Sequence, residues 1–257
     1  MLLQQIIQSS TSYNSSYLEN YIDSEGTLSG IKPVDPNFTF QICYNQVDGF
    51  WYMGTISKGG NPTNRQSIIY KINGDLEVVQ TYNIPNLDSL SSQDTHLKPV
   101  LNLDSEGHLY VLKEKGKPSV DFSDGHNTPL LLYKTTTVGD LSTLSLINTK
   151  TGYFAYPSLI IKDTTIYTFA RGQVASLGLL VFSVNISTNS GSSFTTYPVF
   201  KRTGGDRAYC MRIYDYDNDD IYICHNNRND DLLAFNSIYV LKSTDGIIWK
   251  NMAETFT

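Results

Sequence analysis

A tyrosine-bearing strand recurs at Tyr52, Tyr110, Tyr167 and Tyr222, at separations of 58, 57 and 55 residues, and predicts an all-β chain. Each recurrence stands second in a set of four short apolar strands joined by turns. Four antiparallel strands per repeat at this period is the arithmetic of a β-propeller blade, and four such blades are visible in the 257 residues. A helical solenoid is disfavoured because nearly every apolar segment is short and alternates with period two. No helical periodicity longer than about ten residues stands out, except around Ser91.

The first repeat reads TFQICYN, a VDG turn, then FWYM, SIIYKI and LEVVQTY. The second reads KPVLNLD, DSEG, HLYV, PLLLYKT and TLSLINT. The third reads PSLIIKD, with a bare KD turn, then TIYT, LLVFSV and SFTTYPV. The fourth reads MRIYDYD, DNDD, DIYI, SIYVLKS and the stub IIWKN. Acidic and glycine-bearing turns between alternating strands are what hairpins require. Blades are therefore expected at about 37–85, 96–149, 154–200 and 207–257. Residues 1–36 fit no blade and read as an N-terminal extension or a ring-closing segment, in which LLQQIIQ is a strand that closes a ring or pairs with a neighbouring chain.

The turn between third and fourth strands carries a second signature. Ser243–Trp249 reads S-T-D-G-I-I-W and Ser187–Phe194 reads S-T-N-S-G-S-S-F. Both resemble the Asp-box, S-x-D-x-G-x-x-W. Asp245 or Asn189 hydrogen-bonds the turn backbone, Gly246 or Gly191 accepts a positive φ, and the aromatic packs beneath. Their expected role is to stabilise hairpins on the outer rim, not chemistry. The first two repeats, YKINGDLE and YKTTTVGDLS, have lost the pattern.

Composition narrows the function. The chain carries 19 Lys and Arg against 25 Asp and Glu, a net charge of −6, which is not the electrostatic footprint of a nucleic-acid binder. No apolar run approaches the roughly 20 residues of a membrane helix, so no membrane insertion is expected. The segment MLLQQIIQSSTS lacks a basic n-region and makes a poor signal peptide. Cys43, Cys210 and Cys224 are odd in number and widely spread, so they read as buried free thiols. The alternatives are a Cys210–Cys224 bridge or a structural metal near Cys210, Cys224 and His225. No cofactor is predicted.

A propeller binds its ligand on the axial face where strand ends converge, so rare residues recurring at strand ends are the site candidates. His108 sits beside a turn and reads as surface. His96 precedes the second repeat's first strand, and His126 precedes its third. Tyr156 opens the third repeat's first strand and Arg171 closes its second. Two imidazoles, a phenol and a guanidinium on adjacent blades suit proton transfer at a carboxylate-bearing substrate. Arginine clamps a uronate carboxylate and neutralises the charge that forms when the α-proton leaves. His and Tyr serve as base and acid. The competing reading makes Tyr156 and Arg171 packing and rim residues, with the histidines binding sugar or water.

At these residues the chain resembles the BNR repeat-containing propellers, the group that includes ulvan-lyase-like polysaccharide lyases. The matching pieces are D-x-H-x-x-P-x-L-x-x-D-x-x-G-x-L-x-V at Asp94–Val111, G-H-N-x-P-L at Gly125–Leu130 and Y-P at Tyr156–Pro157. R-G at Arg171–Gly172 and A-Y…D-x-D…H-x-x-R at Ala208–Arg228 continue in the same order. The resemblance implies seven blades and a lyase site built from His96, His126, Tyr156 and Arg171, with His225 and Arg228 as substrate-subsite residues. It departs from the family pattern in the long KEKGKPSVDFSDG loop and in GQVASLG after Arg171. Three further blades require roughly 170 more residues at this period, which another segment or self-association would supply. The implied partner is an acidic polysaccharide, and the implied setting is extracellular or virion-associated. A non-catalytic carbohydrate-binding propeller, such as a phage tail or adhesin component, is the second hypothesis, and a structural or protein-binding propeller the third. A sialidase ranks below these, because no arginine triad falls at matching blade positions.

Overall fold

The computed structural model describes residues 41–56, 67–85, 99–115, 128–174, 179–201, 206–216, 220–229 and 234–251. The N-terminal segment and the helical hint around Ser91 lie outside them. The first blade holds β1 (Gln41–Asn45), β2 (Phe50–Ile56), β3 (Ser67–Ile72) and β4 (Val78–Asn83), in spatial order 1-2-3-4. The chain continues through β5 (Val100–Leu103), β6 (Leu109–Glu114), β7 (Thr128–Thr135), β8 (Leu144–Lys162), β9 (Thr165–Val174), β10 (Leu179–Ser187) and β11 (Thr195–Lys201). The last blade holds β12 (Asp206–Tyr216), β13 (Asp220–Asn229), β14 (Ala234–Ser243) and β15 (Lys250–Asn251). Every pairing is antiparallel between sequence neighbours, the meander expected of four-stranded blades. No helix among the described residues is long and apolar enough to cross a membrane.

The second and third blades depart from the expected separation. They share one strand, β8, which spans 19 residues and joins β5 to β11 into a seven-stranded sheet. Its first part pairs with β7 up to Lys150, with one further pair at Thr128–Phe154 across a register shift, and its last part pairs with β9 from Tyr153 onward. The stretch TGYFAYP between them contains no hairpin chemistry, so the chain runs on in extended form. It bends instead at Gly152, where φ is +141°, and at a bulge after Ala155.

Both faces of the inner strands β3, β6 and β9 are buried, which explains their uninterrupted apolar runs. Leu109 and Val111 of β6 pack with Tyr52 and Ile69 of the first blade. Their neighbours Tyr110 and Leu112 pack with Leu159, Ile166 and Ala170 of the third. The next layer joins Ile160, Phe169, Phe182 and Val184 to Ile221 and Ile223 of the fourth blade. Period-two alternation thus distributes one strand between two inter-blade layers. Each fully buried aliphatic contributes roughly 1.5–3 kcal/mol.

The tyrosine repeat has a structural cause at the end of the blades where the β1–β2, β5–β6 and β12–β13 turns lie. Tyr52 stands opposite Lys71, Tyr110 opposite Lys134, and Tyr222 opposite Lys242. Each lysine reaches an aspartate of the turn: Asp48 at 3.1 Å, Asp104 at 3.1 Å and Asp220 at 2.6 Å. Each also lies over the aromatic ring, Lys134 at 4.8 Å from Tyr110 and Lys242 at 5.5 Å from Tyr222. The third blade substitutes Ile186 for the lysine opposite Tyr167. There the turn of the fourth blade fills the space, and a Cβ on Gly246 would stand 2.9 Å from Tyr167 Cε1.

The two serine-led turns form as their residues dictate. Ile247 and Ile248 N–H donate to Asp245 Oδ1 at 2.7 and 2.9 Å, and Trp249 Nε1 donates to Gly246 O. Asn189 Oδ1 likewise accepts from Ser193 N at 3.0 Å. Gly246 and Gly191 take φ of +75° and +90°, the left-handed region that only glycine enters without cost.

Candidate active site

The opposite end of the blades carries a different residue set. The position four residues beyond the repeat tyrosine is Ile56, Glu114, Arg171 and Asn226 in the four blades. Two adjacent blades thus place a carboxylate and a guanidinium at the same structural position, where the first blade has an aliphatic. Glu114 is fully buried and Arg171 is 7% exposed.

Tyr156 lies between them. The register of β8 on β9 passes from Ala155–Arg171 directly to Ser158–Phe169, so Tyr156 and Pro157 form the extra residues of a bulge. Tyr156 adopts φ of 57°, and its backbone N–H donates to Glu114 Oε1 at 3.0 Å. The Arg171 guanidinium stacks over the Tyr156 ring at 4.7 Å from its centroid. The ring is half-buried and the cation sits behind it. A phenol presented at the blade end, with a fixed positive charge on its ring face, can exchange a proton with a bound substrate.

Lys113 adds a third buried charge. It is fully buried, and the alternation of β6 assigns it to the face of Leu109 and Val111, towards the first blade. Desolvation holds its ammonium pKa down at about 8. The corresponding position in the fourth blade is His225.

Of the sequence-derived candidates, Tyr156 and Arg171 come together. His96 and His126 lie outside the described residues. His225 and Arg228 lie on β13, whose backbone register sets His225 across from Cys210, and Arg228 across from Arg207. Cys224 stands across from Arg212. Cys43 is a free thiol packed against the core between the first two blades, and burial, aided by the Asp48 charge, pushes it up to about 12. It is therefore no nucleophile at neutral pH.

Sequence reasoning missed Glu114 and Lys113, which open the charged run KEKGK and read as the start of a loop. The repeat itself held the signal. Counting four residues from Tyr110 and from Tyr167 gives Glu114 and Arg171, whereas strand-end polarity alone singles out only the arginine.

His108 corrects another expectation. Read as surface, it is largely buried, with 18% of its side chain exposed. Asp104, Glu106 and His108 bring ligand atoms within 4.8 Å of one another. Asp104, however, already holds Lys134 and accepts the Glu106 and His108 N–H groups. That cluster is the blade-turn ion pair of the first and fourth blades with a histidine added.

No family model matches the chain, and no curated protein matches it. Solved structures do. An ulvan lyase bound to a glucuronate–rhamnose sulfate repeat superposes with a TM-score of 0.56 at 17% identity, covering 79% of this chain and 51% of that one. An arabinofuranosidase from Fusarium graminearum gives a TM-score of 0.55 at 13% identity, covering 82% and 66%. A Trypanosoma rangeli sialidase gives 0.52 at 14% identity, covering 90% and 40%. The chain thus spans about half the length of the ulvan lyase structures it matches. At these identities the likeness concerns the fold: an all-β propeller of four-stranded antiparallel blades.

Proposed function

We propose that this chain is the site-bearing part of a polysaccharide lyase that cleaves an acidic, uronate-containing glycan by β-elimination. The observation that carries the reading is the Arg171 guanidinium stacked on Tyr156 at the end of the third blade. In this reaction a base removes the proton α to the uronate carboxylate. The electron pair forms the ring double bond, and the glycosidic oxygen leaves with a proton from an acid. Tyr156 is the group for one of these transfers, with His96 and His126 supplying the partner. Arg171 neutralises the charge that develops as the α-proton departs. Because it lies behind the ring, it acts on the phenol oxygen as well as on the substrate carboxylate, a broader role than a bidentate clamp. The likeness to an ulvan lyase supports the choice of substrate class.

The test is ultraviolet absorbance of the unsaturated uronyl product after incubation with ulvan and other uronate glycans. The full chain is expected to generate it, and Tyr156→Phe to lower kcat by about 10²-fold or more. Activity that survives substitution of both Tyr156 and His126 sinks the assignment. Retention on an acidic glycan column without product identifies a carbohydrate-binding propeller instead.

A further inference from the structure

We propose that Glu114 is a positioning residue that holds Tyr156 in its reactive orientation through the Tyr156 backbone N–H; the inference rests on the lyase reading for its kinetic consequence. Three observations converge on it. Tyr156 precedes Pro157, and a residue before proline is biased towards extended backbone. Its φ is nonetheless 57°, a region that a bulky residue enters only when its surroundings over-determine it. A specific interaction opposes the bias: a fully buried carboxylate, 42 residues away on another blade, accepts the Tyr156 N–H at 3.0 Å.

The geometry gives this bond leverage. Tyr156 and Pro157 lie where the β8–β9 register shifts, between Ala155–Arg171 and Ser158–Phe169, so the backbone there departs from the regular ladder. Removing the acceptor breaks this part-buried bond and lets Tyr156–Pro157 relax towards extended backbone. The ring would then swing off Arg171, which is fixed on β9 opposite Ala155. Glu114 and Arg171 occupy the same repeat position on neighbouring blades. One therefore fixes the backbone of Tyr156 while the other fixes its ring. In this reading Glu114 acts through Tyr156.

Two variants and one measurement on the unsubstituted protein test this. Glu114→Gln keeps an oxygen acceptor at the same reach, whereas Glu114→Leu removes it at similar volume. The expected result is that the leucine variant loses about 10- to 100-fold in kcat, the scale of a misplaced catalytic group. Its KM should stay within about threefold, as for an interaction outside substrate binding. The glutamine variant should restore kcat to within about threefold of the original, because the acceptor is retained. Amide hydrogen exchange at Tyr156, read by tyrosine-specific nitrogen labelling, should be slow in the unsubstituted chain and in the glutamine variant, and fast in the leucine variant. A folded leucine variant with unchanged kcat, or a glutamine variant as impaired as the leucine one, overturns the proposal. So does fast exchange at Tyr156 in the unsubstituted chain, which needs no variant to fold. If no glycan yields product, the lyase reading fails by itself, and the exchange measurements still decide whether Glu114 holds Tyr156.

Discussion

The two ends of the blades use the same strands for opposite purposes. At the turn end, three of the four blades repeat one arrangement, in which a lysine lies over the ring of the tyrosine across from it and neutralises an aspartate. Four residues farther along, the repeat breaks into Ile56, Glu114, Arg171 and Asn226. Repetition marks what every blade needs in order to stack. Departure from repetition marks where two particular blades do something the others do not. The turn end repeats a partly exposed ion pair in three blades, whereas the opposite end buries Lys113, Glu114 and Arg171 in two.

The largest expected effect breaks the turn end. Gly246→Val must accommodate a branched side chain at φ of +75° with Tyr167 Cε1 2.9 Å from its Cβ. Left-handed strain and overpacking together are expected to cost about 3–5 kcal/mol. Gly74, in the corresponding turn of the first blade, has no positive φ, and a Cβ placed on it would meet nothing within 4 Å. Gly74→Ala should stay within about 0.5 kcal/mol of the original chain. Urea titration of both variants measures the contrast. Equal destabilisation would mean that the Gly246 turn is not a docking surface for the third blade.

A pair of lysine substitutions sharpens the comparison, because one lysine lies at the turn end and the other is buried near the opposite end. Lys71 is ion-paired to Asp48 at 3.1 Å and donates to Gly139 O at 2.6 Å, so Lys71→Met leaves Asp48 to its Tyr52 and Phe50 donors and should cost about 2 kcal/mol. Lys113 is buried with its pKa held at about 8 against 10.5, which corresponds to a charging penalty on the order of 3 kcal/mol. The unfolded chain binds the proton more tightly between about pH 8 and 10.5. Stability therefore rises with pH across that window, and below it the penalty is fully present. Lys113→Met should therefore compare more favourably with the original chain at pH 7 than at pH 10, by about 2 kcal/mol. Paired urea titrations at the two pH values give the result. A gain that does not shrink with pH would assign the effect to packing, not to charge.

These contrasts also explain what could be read beforehand. The strands, their order and the turn chemistry were legible because they follow from alternation and from residues such as Asp245 and Gly246, whose preferences are local. The shared strand β8 was not, because TGYFAYP carries no stop signal and the blade boundary falls inside an extended run. Glu114 and Lys113 were hidden for a different reason: charged residues at a strand end normally mark its exit into solvent, and here inter-blade packing overrides that preference. His108 was misread likewise, since the Lys134–Asp104 pair draws the turn inward.

The smallest expected effect asks whether the turn end needs charge or only hydrogen-bond geometry. Asp245 Oδ1 accepts from two backbone N–H groups, and the Ile248 bond, followed by the Ile247 bond, lowers its carboxyl pKa. The third blade makes the equivalent turn with Asn189, whose neutral oxygen accepts from Ser193 N at 3.0 Å and whose amide donates to Ser193 Oγ at 2.8 Å. The fold has therefore already carried out the substitution once. Asp245→Asn should change stability at pH 7 by no more than about 0.5 kcal/mol, since an exposed neutral acceptor replaces a solvent-screened charged one. A depressed folded pKa contributes stability that is present above the unfolded value and lost as pH falls through the folded one. The original chain should accordingly lose its small advantage on acidification, while the asparagine variant has none to lose. Urea midpoints measured at neutral and acidic pH should converge. A gap that stays constant with pH would show that the turn depends on the shape of the side chain, with the carboxylate charge playing no part.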